Sequence, residues 1–214
     1  MHELAYPPAI DLPIEDTLAS IPARRAAEFP DSPMYALRSG DSWEDVTAAQ
    51  FNDLVRSVAR GLVARGISAG QPVAILSPTR YEWTVLDFAL WTAGAFAVPI
   101  YDSSSAEQIE WILQDSEVVA VITDSLSSAD RVRGSTLGTV PPVWVIDDGL
   151  LDALTTEGAA VADEVLDERV AAVSVGDPAT IVYTSGTTGP PKGAMLTNAN
   201  AAFCIDVIVN SADR

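Results

Sequence analysis

A chain of 214 residues, 48% hydrophobic and 20% charged, has globular composition and length enough for one sizeable core or two small ones. A formal net charge of -18 makes the surface repel phosphate backbones and anionic headgroups, which argues against nucleic-acid binding and electrostatic membrane docking. One cysteine, Cys204, and one histidine, His2, exclude an internal disulfide and a Cys/His zinc site, and leave a Ser-His-Asp triad without a credible base.

His2 sits at a terminus expected to fray, and Cys204, in an apolar helical run, reads as a small buried hydrophobe. The start "MHELAYPPAI" lacks the basic and apolar regions of a signal peptide. The apolar run from Phe88 to Tyr101 is broken by Gly94 and Pro99 and is too short for a bilayer span. No transmembrane segment and a reduced, cytoplasmic setting are expected, with peripheral membrane association left open.

In chain order, "IEDTLASIPARRAAEF" predicts a helix that starts or kinks at Pro22. "PMYALRS" and "SWEDVT" flank a Ser-Gly-Asp turn and read as a hairpin. Thr47 and Gln50 have capping-box spacing, Phe51, Leu54, Val58 and Leu62 have helical spacing, and Gly66 suits the stop. "PVAILS", "AFAVPI", "VVAVIT" and "PVWVID" are short apolar strands. The helices "YEWTVLDFALWTAG", "SSAEQIEWILQD" (capped by Ser105 with Gln108) and "SSADRVRG" separate them. The pattern is α/β, with βαβ units in a parallel sheet covered on both faces and right-handed crossovers.

Residues 147–177 are acidic and Ala-rich with weak periodicity, and read as short surface helices or a loop whose acidity is a solvated face. "ATIVYT" is a further strand and "GAMLT" is extended. Thr197 or Asn198 is placed to cap a last helix. Trp83, Trp91 and Trp111 lie on amphipathic helices and read as core. Asp102 and Ser103 to Ser105 follow a strand and read as helix capping. Arg80 opens a helix and faces either an anion or solvent.

Between the last two strands stands "YTSGTTGPPKG", Tyr183 to Gly193, which holds Lys192, the only lysine of the chain. Gly186, Gly189 and Gly193 are expected to adopt positive φ and let an anion approach the backbone. Thr184, Ser185, Thr187 and Thr188 add hydroxyls, Lys192 adds a charge, and Pro190 and Pro191 stiffen the turn. A plain turn needs one or two such residues, not four hydroxyls and a lysine, so the loop reads as a polyphosphate cradle. It is not a Walker A loop: Gly186 and Gly189 are too close, and Gly193 follows the lysine.

The run "IVYTSGTTGPPKGAMLTNAN" resembles the phosphate-binding signature of the AMP-forming acyl-adenylating enzymes: acyl-CoA synthetases, peptide-synthetase adenylation domains and firefly luciferase. The segments "YEW", "YDSSSAEQI" and "LQDSE" are similar to bacterial long-chain fatty acyl-CoA synthetases. One departure is Asn198, where the family often has His, and which is expected to keep a capping role. The resemblance implies a ligase using ATP, Mg²⁺, CoA and a fatty acid. The carboxylate attacks the α-phosphorus, pyrophosphate leaves, and the CoA thiol then takes the acyl group. In it, Thr184, Ser185, Gly186, Thr187, Thr188, Gly189 and Lys192 would clamp the phosphates electrostatically, with no covalent or acid/base part.

In the family the adenine pocket, Mg²⁺-binding Glu, ribose-binding Asp and catalytic Lys come after the point matching Arg214. The resemblance therefore implies a partial AMP-binding domain over 31–214 behind an N-terminal arm and helix over 1–30. It also implies little ligase activity alone and an exposed apolar face. A non-catalytic nucleotide-binding remnant and an enzyme for another carboxylic acid remain alternatives. Acyl chain length and oligomeric state are open.

Overall fold

The computed structural model describes residues 17–184 and 190–212, the last seven of these by their backbone. The reading of His2 as frayed, and the loop residues Ser185 to Gly189, lie outside the described residues.

The helix α1 (Ile21–Glu28) follows a short 3-10 turn at Leu18–Ser20, with Pro22 in its first turn, where a missing N–H costs nothing. Strands β1 (Pro33–Ser39) and β2 (Ser42–Thr47) form the expected antiparallel hairpin. Helix α2 (Ala48–Ala64) opens on a complete capping box between Thr47 and Gln50, and Gly66, at φ +89°, suits its stop. Tyr35 of the hairpin stacks on Phe51 at 5.0 Å and Tyr81 at 5.4 Å, which ties the small sheet to the main body.

The main sheet is built from β3 (Pro72–Leu76), β4 (Phe96–Ile100), β5 (Ala120–Thr123), β6 (Val143–Val145), β7 (Pro178–Thr184) and β8 (Lys192–Thr197). Their order is β6-β5-β3-β4-β7-β8, parallel throughout except for β8, which runs antiparallel on one edge. Between the strands lie α3 (Tyr81–Thr92), α4 (Ala106–Asp115), α5 (Leu126–Arg133), α6 (Leu150–Gly158) and α7 (Asp163–Ala172). Helix α8 (Asn198–Ala212) closes the described chain. Successive strand residues point to opposite faces. Val73, Ile75 and Ile122 join a core with α2, α3, α6 and α7, whereas Ala74, Leu76 and Val121 join one with α4 and α5.

Four expectations change. The 147–177 stretch is two helices that bury Leu150, Leu154 and Leu166 in the larger core. Its acidic face is not merely solvated: Asp163 reaches Arg56 and Arg60, Asp167 reaches Arg56, and Glu157 reaches Arg65. Cys204 is exposed, because the face of α8 that carries it has no described element packed on it. Asn198 does not cap α8. Thr197 does, in a box with Asn200, while Asn198 is buried and bonds Leu18 N–H and the Asp177 carbonyl. Trp111 is not a core residue but 38% exposed.

Candidate functional site

Strands β3, β4 and β7 run parallel, so Leu76, Ile100 and Thr184 end at one edge of the sheet. That carboxyl edge is where open α/β sheets take ligands. The connections leaving it carry Ser77 to Arg80, Tyr101 to Ser105, and the loop after Thr184.

The loop's described ends are set by the β7–β8 pairing, which puts Thr184 opposite Lys192 and Tyr183 opposite Gly193. Chain entry and exit are thus held side by side, and residues 185–189 connect them. Lys192 is exposed, and among the described residues it has no ion-pair partner. Its charge is therefore not spent on a protein carboxylate there.

Gly193 needs glycine for a different reason from the one expected. Its φ is not positive; a Cβ there would lie 2.8 Å from Ile181 Cγ2 and 3.0 Å from Tyr183 Cζ. The Tyr183 ring occupies that space, and its hydroxyl donates to Asp115 Oδ2 at 2.6 Å. Burial, then this bond, push the Tyr183 hydroxyl above its ordinary value, so it stays a donor at neutral pH. Just before the other strand, Trp111 Nε1 donates to the Pro191 carbonyl at 2.9 Å.

Two cavities adjoin the loop. One of about 210 Å³ lies between Tyr101, Ser103, Ser104, Gln108, Tyr183 and Pro191. The other, about 120 Å³, lies between Ser77, Thr79, Trp83, Tyr101 and Tyr183. Tyr183 lines both.

The remaining candidates resolve into support. Ser105 caps α4 with Gln108, as expected. The carbonyls of Asp102 and Ser104 accept from Arg131, which fixes the turn after β4. Arg80 does not stand free: Glu82 at 2.8 Å and Asp147 at 2.7 Å hold it, with its side chain still 30% exposed. The bond to Arg80 lowers the Glu82 pKa, and those to Glu82 and Asp147 raise that of Arg80. Trp91 packs beside the core and donates to the Ala179 carbonyl at 2.8 Å, securing β7, and Trp83 is partly buried. Sequence reasoning missed Trp111, Asp115 and Tyr183 as loop supports. Helical periodicity gave α4 its inward face but carried no sign of a strand end that arrives some 70 residues later in the chain.

Among the described residues no three His, Cys, Asp or Glu side chains gather as a metal site, so these residues do not by themselves fit Mg²⁺. No described helix is long and apolar enough to cross a membrane.

A mostly parallel α/β sheet with loops leaving its carboxyl edge defines a fold that takes ligands at that edge. The model of the AMP-binding enzyme family matches residues 22–213, and the chain belongs to that family. It is 41% identical over 206 residues to a long-chain-fatty-acid–CoA ligase, FadD15, of Mycobacterium bovis, covering 94% of this chain and 34% of that protein. The FadD15 ligase of Mycobacterium tuberculosis is 40% identical over the same shares. Among solved structures, the inhibitor-bound N-terminal domain of FACL13 from Mycobacterium tuberculosis superposes with a TM-score of 0.70 at 32% identity. That match covers 85% of this chain and 44% of that one. The chain thus spans about a third of the length of the curated relatives it matches.

Proposed function

We propose that this chain supplies the polyphosphate grip of an ATP-dependent long-chain fatty acid–CoA ligase. One observation carries the reading: the pairing that sets Thr184 opposite Lys192 at the carboxyl edge of the sheet, with the hydroxyl-rich loop between them. A carboxylate is a weak nucleophile and pyrophosphate a highly charged leaving group. The first step therefore needs fixed donors around the β- and γ-phosphates more than it needs an acid or a base. Thr184, Ser185, Gly186, Thr187, Thr188 and Gly189 offer hydroxyls and backbone N–H groups, and Lys192 offers a charge.

The long-chain acyl substrate and the CoA step come from the similarity to the FadD15 ligases. Residues 31–214 form part of the AMP-binding domain on this reading, with α1 laid against it from the N-terminal arm. The 214 residues alone are expected to form little or no acyl-CoA.

The test is incorporation of labelled pyrophosphate into ATP, dependent on added fatty acid, by a full-length protein carrying this chain. Exchange that needs a long-chain acid and is lost in Lys192→Ala supports the proposal. Exchange driven by an amino or aryl acid instead moves the substrate class. Exchange unchanged by Lys192→Ala removes the loop from the mechanism.

A further inference from the structure

Helix α4 touches the loop at both ends through a polar contact, one at the exposed Trp111 and one at the hydroxyl of the buried Tyr183. Trp111 is 38% exposed, where water would satisfy its indole N–H, yet that N–H donates to the Pro191 carbonyl. Proline has no N–H of its own, so the carbonyl is the only hydrogen-bonding group by which Pro191 can be held. Four residues along α4, on the same face, Asp115 accepts the hydroxyl of Tyr183. Tyr183 precedes Thr184, and Pro191 precedes Lys192, so the two bonds bracket the loop. The strands add a third constraint, because the Tyr183 ring fills the space above Gly193.

We infer that Trp111 and Asp115 are positioning residues that, through Pro191 and Tyr183, hold Lys192 and Thr184 at set places on the edge of the sheet before ATP arrives. The inference rests on the phosphate-grip reading. Ordering the residues that meet a ligand at each binding event costs entropy. Fixing both ends on a helix removes part of that cost beforehand, as electrostatic stabilisation requires. Trp111 and Asp115 touch no phosphate; they act through Pro191 and Tyr183.

The experiment compares wild type with Trp111→Phe, Asp115→Asn, Lys192→Ala and Trp111→Phe/Lys192→Ala. Three quantities are read: hydrogen exchange by peptide, thermal unfolding, and affinity for ATP by titration in magnesium buffer. Trp111→Phe keeps the ring and removes the donor. Losing one hydrogen bond of ordinary strength predicts exchange about fivefold faster in peptides covering 190–196, with the rest of the sheet unchanged. ATP affinity falls by about the same factor, and the double variant is no weaker than Lys192→Ala alone, because both changes act on one loop.

Exchange in 190–196 that stays at the wild-type rate overturns the inference, as does acceleration spread over the whole chain with a lower Tm. A loss of ATP affinity in Lys192→Ala with none in Trp111→Phe or Asp115→Asn also overturns it and leaves the phosphate grip standing. Local acceleration with ATP affinity unmoved in every variant overturns the positioning role together with the phosphate reading.

Discussion

Gly61 and Gly158 meet backbone to backbone where α2 crosses α6: a Cβ on Gly158 would lie 2.5 Å from the Gly61 amide nitrogen. A Cβ on Gly61 would overlap the Leu154 carbonyl. Glycine inside a helix costs about 1 kcal/mol relative to alanine. Here the cost is offset by the close approach that lets Leu154 reach the core fully buried. Gly158→Ala is expected to push the helices apart and cost about 3 kcal/mol, the upper range for overpacking. In thermal unfolding that is a fall of roughly 6–12 °C for a chain of this size. A change under about 2 °C would show that the crossing relaxes freely.

This crossing also marks the limit of what the sequence discloses. Strands β3 to β7 and helices α2 to α5 were legible because each repeats one period over several residues, and capping boxes at Thr47 and Ser105 marked two starts. Residues 150–172 were legible only as short surface helices or a loop, because their helices bury few large side chains each: Leu150 and Leu154 in α6, and Leu166 in α7. Their partner glycine, Gly61, is distant in sequence and reads locally as an unfavourable helix residue. The candidate site divides in the same way. Thr184 and Lys192 were visible as a run of unusual residues, whereas Trp111 and Asp115 act on it from a helix whose pattern reports only its own packing.

Asp87 gives a pH-dependent prediction. It lies on α3, and burial pushes its carboxyl from the ordinary 3.8 up to about 7, with no hydrogen bond opposing the shift among the described residues. Below pH 3.8 folded and unfolded chains both keep the proton, and the carboxyl costs nothing. Between that value and about 7 the unfolded chain releases a proton that the folded chain retains, so stability falls as pH rises. Above about 7 both forms are ionised and the loss is constant. The Tm of Asp87→Asn minus that of wild type should grow from pH 5 to about 7 and then level. A difference flat across that window would show that Asp87 is solvated.

Asn198 joins three segments. Its Oδ1 accepts from Leu18 N–H at 3.0 Å, and its Nδ2 donates to the Asp177 carbonyl at 3.2 Å. Asn198→Ala leaves a buried amide without its acceptor, at a cost of about 1–3 kcal/mol. Urea denaturation should show a lower midpoint with an unchanged slope. An unchanged midpoint would mean that water replaces the side chain.

Beside the loop, β8 and α8 expose Met195, Leu196, Phe203 and Ile205. Met195→Lys with Leu196→Lys should raise solubility at constant Tm. A fall of several degrees would place these side chains in the fold's own packing instead.

The most direct measurement is a calorimetric titration of a full-length protein carrying this chain with ATP, repeated with Lys192→Ala and with pyrophosphate as competitor. If the loop grips the polyphosphate, binding saturates at one site and pyrophosphate displaces ATP. Loss of the single lysine then weakens affinity about tenfold or more, the effect of one charge-assisted hydrogen bond. Equal affinity in wild type and Lys192→Ala, or no competition by pyrophosphate, would contradict the phosphate grip.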